Sequence, residues 1–398
     1  MKQLFTFLNL FLLTFLIIQS TCAQVIPVSN GNKYSISVGD VELVVDASIG
    51  ARITSFKLHD TEYIKQGSNL TQMGSTLWTS PQSAWNWPPL STTDSKAYTA
   101  SIEGNKMIFE SGIESGISGK KFKFIKTFWA NENNNSISVR YSLVNTGTSG
   151  ISVSLWEITR VGPDGLTFWK TGDKAPWTSG SWSPTLVNKV WEESGYYWMQ
   201  FDIANGNSNK FFSGIGETGW FAHAFSDDVV LIKSFEDVST SEYAPGEGEF
   251  EYYTGGTYIE LENQGKYTTV PAGDTLNYDV TWHLQELPEN TTAEIGSTDL
   301  IDFVQQVVDS EIATNVNSIE IPGINIYPNP VEDFLTVDLQ NDRGNSSIFN
   351  LSDMAGRLVF AKEFNDNMRI DVSNLRKGVY FYNIVSNNKT TVGKVVKQ

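Results

Sequence analysis

The stretch SISVRYSLVNTGTSGISVSLWEITRV, Ser136 to Val161, decides the fold. SISVRYSLV alternates apolar and polar residues, NTGTSG supplies turn residues, and ISVSLWEITRV alternates again. Successive side chains of a strand point to opposite faces, so this period marks half-buried strands, and two such runs about a Gly- and Asn-containing turn make a hairpin. The same period runs outward on both sides, in VELVVDA, ARITSFKL, KKFKFIKTFW, VVLIKSF, YIELEN and LNYDVTWHL. No segment here longer than about two turns has a helical period. Residues 25–287 therefore read as one all-β, antiparallel body, too long for a single small sandwich. All twelve tryptophans lie inside it, between Trp78 and Trp282.

The two ends read differently. Lys2, the apolar run LFTFLNLFLLTFLII and the small residues before Gln24 form a secretion signal over 1–23, too short and wrongly flanked for a membrane anchor. Cys22, the sole cysteine, leaves a lipoprotein alternative open, although Gln19-Ser20-Thr21 is a poor lipobox. Cleavage after Ala23 leaves no thiol, so stability outside the cell must come from a large core. The net charge of -17 is made up of -12 in residues 24–287 and -7 in residues 288–322, with +1 in residues 1–23 and +1 in residues 323–398. So acidic a body repels nucleic acid and anionic lipid, which excludes both as expected partners.

Residues 288–322 contain no Lys or Arg and read as an acidic linker, with one short amphipathic helix through Leu300, Ile301, Phe303, Val304, Val307 and Val308 docked on a neighbour. Residues 323–398 alternate again, through INIYPNPVEDFLTVDL, IFNLSDMAGRLVF, LRKGVYFYNI and GKVVKQ, and read as a small β-sandwich. Tyr327-Pro328-Asn329-Pro330, Asp353-Met354-Ala355-Gly356-Arg357, Gly378-Val379-Tyr380 and Lys394-Val395-Val396 closely resemble the type A sorting domain of the type IX secretion system. The resemblance implies export across the outer membrane, with the secretion machinery as partner and a secreted or surface-anchored destination.

The body resembles the galactose mutarotase-like superfamily, whose fold is a large antiparallel supersandwich. The segments that carry this are Ile49-Gly50-Ala51-Arg52-Ile53-Thr54-Ser55-Phe56 with His59-Asp60-Thr61-Glu62-Tyr63, the Ser136–Val161 hairpin with Asn145 at its turn, and YIELENQGKYTTVPAGDTLNYDVTWHL, Tyr258 to Leu284. WTSPQSAWNWPP points to an uncharacterised family within it. Aldose epimerases open a sugar ring with two histidines and a glutamate. This chain has three histidines in all, and Trp156-Glu157 stands where the family has its histidine after the central hairpin, so the standard site is absent.

The candidate site follows from residue chemistry. GSTLWTSPQSAWNWPP, residues 74–89, holds three tryptophans and no charge, and its prolines exclude a helix or central strand. Indole faces suit hydrogen-rich sugar rings, which makes Trp78, Gln82, Trp85 and Trp87 a glycan subsite, or else a plug closing the sandwich. Glu260 and Glu262, at i and i+2 on one strand, face one way with Tyr258, and close carboxylates raise one another's proton affinity. By resemblance, Glu262 matches the epimerase's catalytic glutamate segment and Glu260 fits nearly as well. Glu157 and Arg160 sit on or just after the central strand, where by resemblance the superfamily places substrate contacts; Glu157 is a further acid–base candidate, and Arg160 or Arg52 offers paired donors for a carboxylate or sulfate. Of the histidines, His59 lies in a polar turn, while His223 or His283 is the candidate proton shuttle. No zinc spacing or nucleotide-binding loop is present, so no cofactor is expected; a structural calcium ion, whose ligands need not be close in sequence, is left open.

These features lead to a secreted carbohydrate-active protein that binds and processes a poly- or oligosaccharide by general acid–base chemistry. Epimerase-like isomerisation and β-elimination of a uronate both use such groups. A non-catalytic glycan-binding protein is the alternative, and a purely structural surface protein a third.

Overall fold

The computed structural model describes residues 24–202, 208–216, 219–315, 324–339, 347–352, 358–386 and 389–397. The secretion-signal reading of residues 1–23, the 353–357 motif and residues 316–322 of the acidic stretch lie outside them. No helix among the described residues is long and apolar enough to cross a membrane.

The alternating runs are all strands, including Val41–Asp46, Arg52–Leu58, Lys120–Asn131, Ser136–Asn145, Ile151–Val161, Val229–Phe235, Ile259–Gln264 and Thr275–Glu286. They assemble with shorter strands into two large antiparallel sheets. Through its middle the first runs Arg52–Leu58, Ser75–Ser80, Ile151–Val161, Ile259–Gln264, Phe250–Thr254 and Asn209–Ser213. The second centres on Leu166–Lys170, Trp220–Ala224, Val229–Phe235, Thr275–Glu286, Ser136–Asn145 and Lys120–Asn131. The sheets face each other across one apolar core, where Phe56 meets Trp282 edge-on at 5.3 Å and Trp169 meets Phe250 at 4.7 Å.

Two expectations are corrected. The prolines of 74–89 do not keep the segment out of the sheet: Ser75–Ser80 is a central strand, paired with Ile151–Val161 over six residues and buried along its whole length. Its residues include no proline, and Pro81 falls just past its end, where the lost N–H costs the ladder nothing. Gly74, with φ +62, lets this strand begin hard against Arg52–Leu58; a Cβ there would lie 2.2 Å from the Ile53 carbonyl. The helix in the acidic stretch is also longer than the apolar pattern marked, running Thr298–Asn315. It lays Leu300, Ile301, Val304 and Val308 on the outer face of the second sheet, against Phe168, Trp198, Trp220, Val230 and Ile232.

Residues of the tail form a three-stranded sheet (Ile324–Tyr327, Phe334–Leu339, Met368–Asp371) and a four-stranded one (Leu358–Phe364, Ser347–Ser352, Gly378–Ser386, Lys389–Lys397). These share a separate core that includes Val331, Leu335, Val337, Phe349, Leu351 and Ile384. The molecule is thus all-β: a large two-sheet body followed by a small sandwich.

Candidate functional site

Strand alternation sorts the side chains of Ile151–Val161. Glu157 and Thr159 point between the sheets, where the Lys233 ammonium donates to both, and Tyr141 and the Trp282 indole N–H also donate to Glu157. Trp156 and Arg160 point the other way, to the outer face of the first sheet. Register carries that face across the neighbouring strands: Trp156 sits opposite Trp78, Ile158 opposite Glu262, Arg160 opposite Glu260, Glu262 opposite Glu251, and Glu260 opposite Tyr253.

On this face opens a cleft of about 380 Å³. Its floor is Trp156, Glu260, Glu262, Lys210 and Tyr253; Trp78, Gln82 and Trp87 make one wall, and Tyr258 and Trp182 line it from other segments. The Trp78 ring meets Trp156 at 5.3 Å and Trp87 at 5.8 Å, both edge-on, and Trp182 meets Tyr253 at 6.1 Å. Edge-to-face packing holds each indole at a fixed angle to the next. Asp94, on the Ser91–Asp94 turn, fixes the wall from behind. Its Oδ1 accepts from Trp78 Nε1 at 2.8 Å, Thr76 Oγ1 at 3.1 Å and Arg52 Nη2 at 3.0 Å. Gly50, at φ +79, allows that turn to seat; a Cβ would fall 1.9 Å from the Asp94 carbonyl oxygen.

The charged groups of the floor are interlocked. Trp156 Nε1 donates to Glu262 Oε2 at 2.8 Å, and Lys210 Nζ donates to the same oxygen at 2.9 Å. Lys210 also pairs with Glu251 and lies 4.6 Å above the Trp156 ring. Arg160 Nε donates to Glu260 Oε1 at 2.8 Å. Burial pushes the Glu262 carboxyl up to about 7, against the pull of Lys210. Burial likewise holds Glu251 well above the carboxylate range. For Lys210 burial acts downward, but Glu251 and Glu262 outweigh it and keep the ammonium charged.

The structure thus brings Trp78, Gln82, Trp87, Tyr258, Glu260 and Glu262 together, and it sets the other candidates apart. Trp85 is buried behind the wall, donating to the Thr79 carbonyl and packing on Trp78, so it serves the plug rather than the surface. Arg52 is fully buried and engaged by Asp94 and the Met73 carbonyl. Arg160 is buried beneath the floor, 5.5 Å from the Trp78 ring, and so offers no open fork. Glu157 is sealed between the sheets. His223 is fully buried beside Thr167 and Phe225, and burial drives it down to about 3, so it stays neutral. His283 lies on the outer face of the second sheet against Glu311 of the Thr298–Asn315 helix. Neither histidine is placed to shuttle protons in the cleft. His59 is an exposed turn residue near Asp40 and Glu286.

Lys210, Glu251, Tyr253 and Trp182 were not singled out by sequence. Asn209–Ser213 is buried along its whole length and shows no alternation, and Trp182 comes from the connection between two strands of the second sheet, so neither carries a local signal. Among the described residues, no three or more His, Cys, Asp or Glu are grouped to hold a metal ion.

Residues 325–398 match the secretion system C-terminal sorting domain. The chain is an exported one. This tail sends it by the type IX route to the cell surface or the medium. The body is similar in fold to a galactose mutarotase-like protein from Clostridium acetobutylicum, at 10% identity over 64% of this chain and 95% of that one, with a TM-score of 0.48. It is similar also to a galactose mutarotase-like protein from Lactobacillus casei (10% identity; 66% and 100%; TM-score 0.44) and a galactose mutarotase related enzyme from Lactobacillus acidophilus (9%; 65% and 98%; 0.46). No curated protein matches the chain.

Proposed function

We propose that the exported body is a carbohydrate-active protein that takes a sugar into the tryptophan cleft and exchanges protons with it through Glu262. The observation that supports this is the coincidence, in one open cleft, of three indoles at fixed angles with two carboxyls on the same face of one strand. The cleft's size sits near the lower end of small-molecule sites, roughly 300–1,000 Å³, which favours a short oligosaccharide or a chain end over a long polymer segment.

Indole faces stack on the apolar faces of a pyranose, and the amide of Gln82 and the Tyr258 hydroxyl are left to bond its hydroxyls. A carboxyl near 7 is divided between its acid and base forms at neutral pH, so Glu262 can take a proton from a sugar hydroxyl and return it. Glu260 stands roughly 7 Å along the strand as the second carboxylate, held by Arg160. An epimerase-like proton exchange fits these groups better than elimination from a uronate, which needs an open arginine for the acid group.

A non-catalytic glycan-binding role is the second reading, and the placement of His223 and His283 away from the cleft favours it. Titration calorimetry with a panel of mono- and oligosaccharides, paired with assays for isomerised, unsaturated and hydrolysed products, separates the two. Binding with turnover that Glu262→Gln abolishes supports catalysis; binding without any product supports the second reading; no binding to any sugar refutes both.

A further inference from the structure

The balance of charge around the cleft narrows the kind of sugar. Among the described residues, Glu260 and Glu262 line it, Glu251 lies directly across from Glu262 in the sheet, and Glu247 accepts the Gln82 backbone N–H at 2.9 Å. Against these four carboxyls stand two cations, Lys210 and Arg160. Lys210 is shared by Glu251 and Glu262, and Arg160 is engaged by Glu260. The nearby Arg52–Asp94 pair cancels itself. With four carboxyls and two cations, the floor holds protons on Glu251 and Glu262 rather than bare charge, and a ligand cation can take the place of those protons.

We propose that the cleft takes a sugar bearing a protonated amine, a hexosamine residue with its amino group free. The inference rests on the carbohydrate reading above. Such a ligand brings the positive charge that the floor lacks, and its ammonium is drawn to carboxylates and to indole faces alike. Burial is the main cause of the raised proton affinities of Glu251 and Glu262, and the neighbouring carboxyls add to it: Glu247 and Glu262 for the first, Glu260 for the second. An acidic sugar meets like charge here, on a body that is itself acidic. Arg160 Nη1 and Nη2 have no acceptor among the described residues, but they are buried beneath the floor and do not line the cleft, so an anion in it does not meet them.

The test is calorimetric titration, at neutral pH, of the full chain with the disaccharide of glucosamine, its N-acetylated form, the matching glucose disaccharide and glucuronate. The amine sugar is expected to bind about ten-fold tighter than either neutral one, the worth of one desolvated cation contact. That preference is expected to shrink as salt is raised, and to shrink in Glu251→Gln, a near-isosteric change. The salt arm needs no variant, so a folding defect in Glu251→Gln leaves the test intact. Equal or tighter binding of the neutral disaccharides overturns the inference and leaves the carbohydrate reading standing. Tightest binding of glucuronate overturns it too. No binding by any sugar, here or in the wider panel, removes the carbohydrate reading and this inference together.

Discussion

Trp87 stands 57% exposed at the cleft rim while Trp78 is 7% exposed in its wall, and this difference separates two mutational outcomes. Trp87→Ala removes a stacking surface and one edge contact to Trp78; sugar affinity is expected to fall about ten-fold with a stability loss of no more than about 1 kcal/mol, since exposed side chains contribute little to folding. Trp78→Ala empties a site packed by Trp85, Trp87, Trp156 and Asp94, and is expected to cost about 3–5 kcal/mol of stability as well. His223 makes a different prediction. Its folded value of about 3 lies below the ordinary 6.5, so the neutral ring's contribution is complete above pH 6.5 and is lost as pH falls toward 3. The full loss is on the order of 5 kcal/mol by linkage. A denaturation series from pH 7 to 4 on His223→Gln is expected to show a flatter acid limb than wild type; parallel limbs would contradict it.

At the scale of elements, the Thr298–Asn315 helix belongs to the body's packing although it lies in a stretch whose composition reads as a linker. Its apolar face covers Trp198 and Trp220 of the second sheet, and Glu311 accepts from Ser234 and meets His283. Leu300→Ala is expected to lower body stability by about 2–4 kcal/mol in urea unfolding, and a chain ended at residue 287 is expected to aggregate. What the sequence showed of each element depended on whether its polar residues gather on one face. Strands that set polar residues on one face alternate and were legible, whether that face is exposed, as in Lys120–Asn131, or buried, as in Ile259–Gln264; Ser75–Ser80, Asn209–Ser213 and Trp220–Ala224 mix polar and apolar residues on buried faces and carry no period. The same cause hid half of the cleft. Glu260 and Glu262 could be paired from their spacing, and Trp78 and Trp87 from their density. Lys210 and Glu251 meet them only through cross-strand register, which one sequence does not display.

Over the whole molecule, address and work are divided. The tail has its own core and matches a sorting domain, while every group of the cleft lies between residues 71 and 262. Deleting residues 325–398 is therefore expected to leave the body's melting temperature and sugar affinity unchanged and to strand the protein in the periplasm, as read by cell fractionation. The proposed sugar-handling site is built from indoles and carboxyls of the first sheet's outer face. Its most direct test is titration of wild type, Trp87→Ala and Glu262→Gln with the tightest-binding oligosaccharide of the panel, followed through tryptophan fluorescence. Saturable quenching is expected in wild type, weakened about ten-fold in Trp87→Ala and altered in Glu262→Gln. Saturable sugar binding that neither substitution disturbs would place the site elsewhere on the molecule and contradict the account.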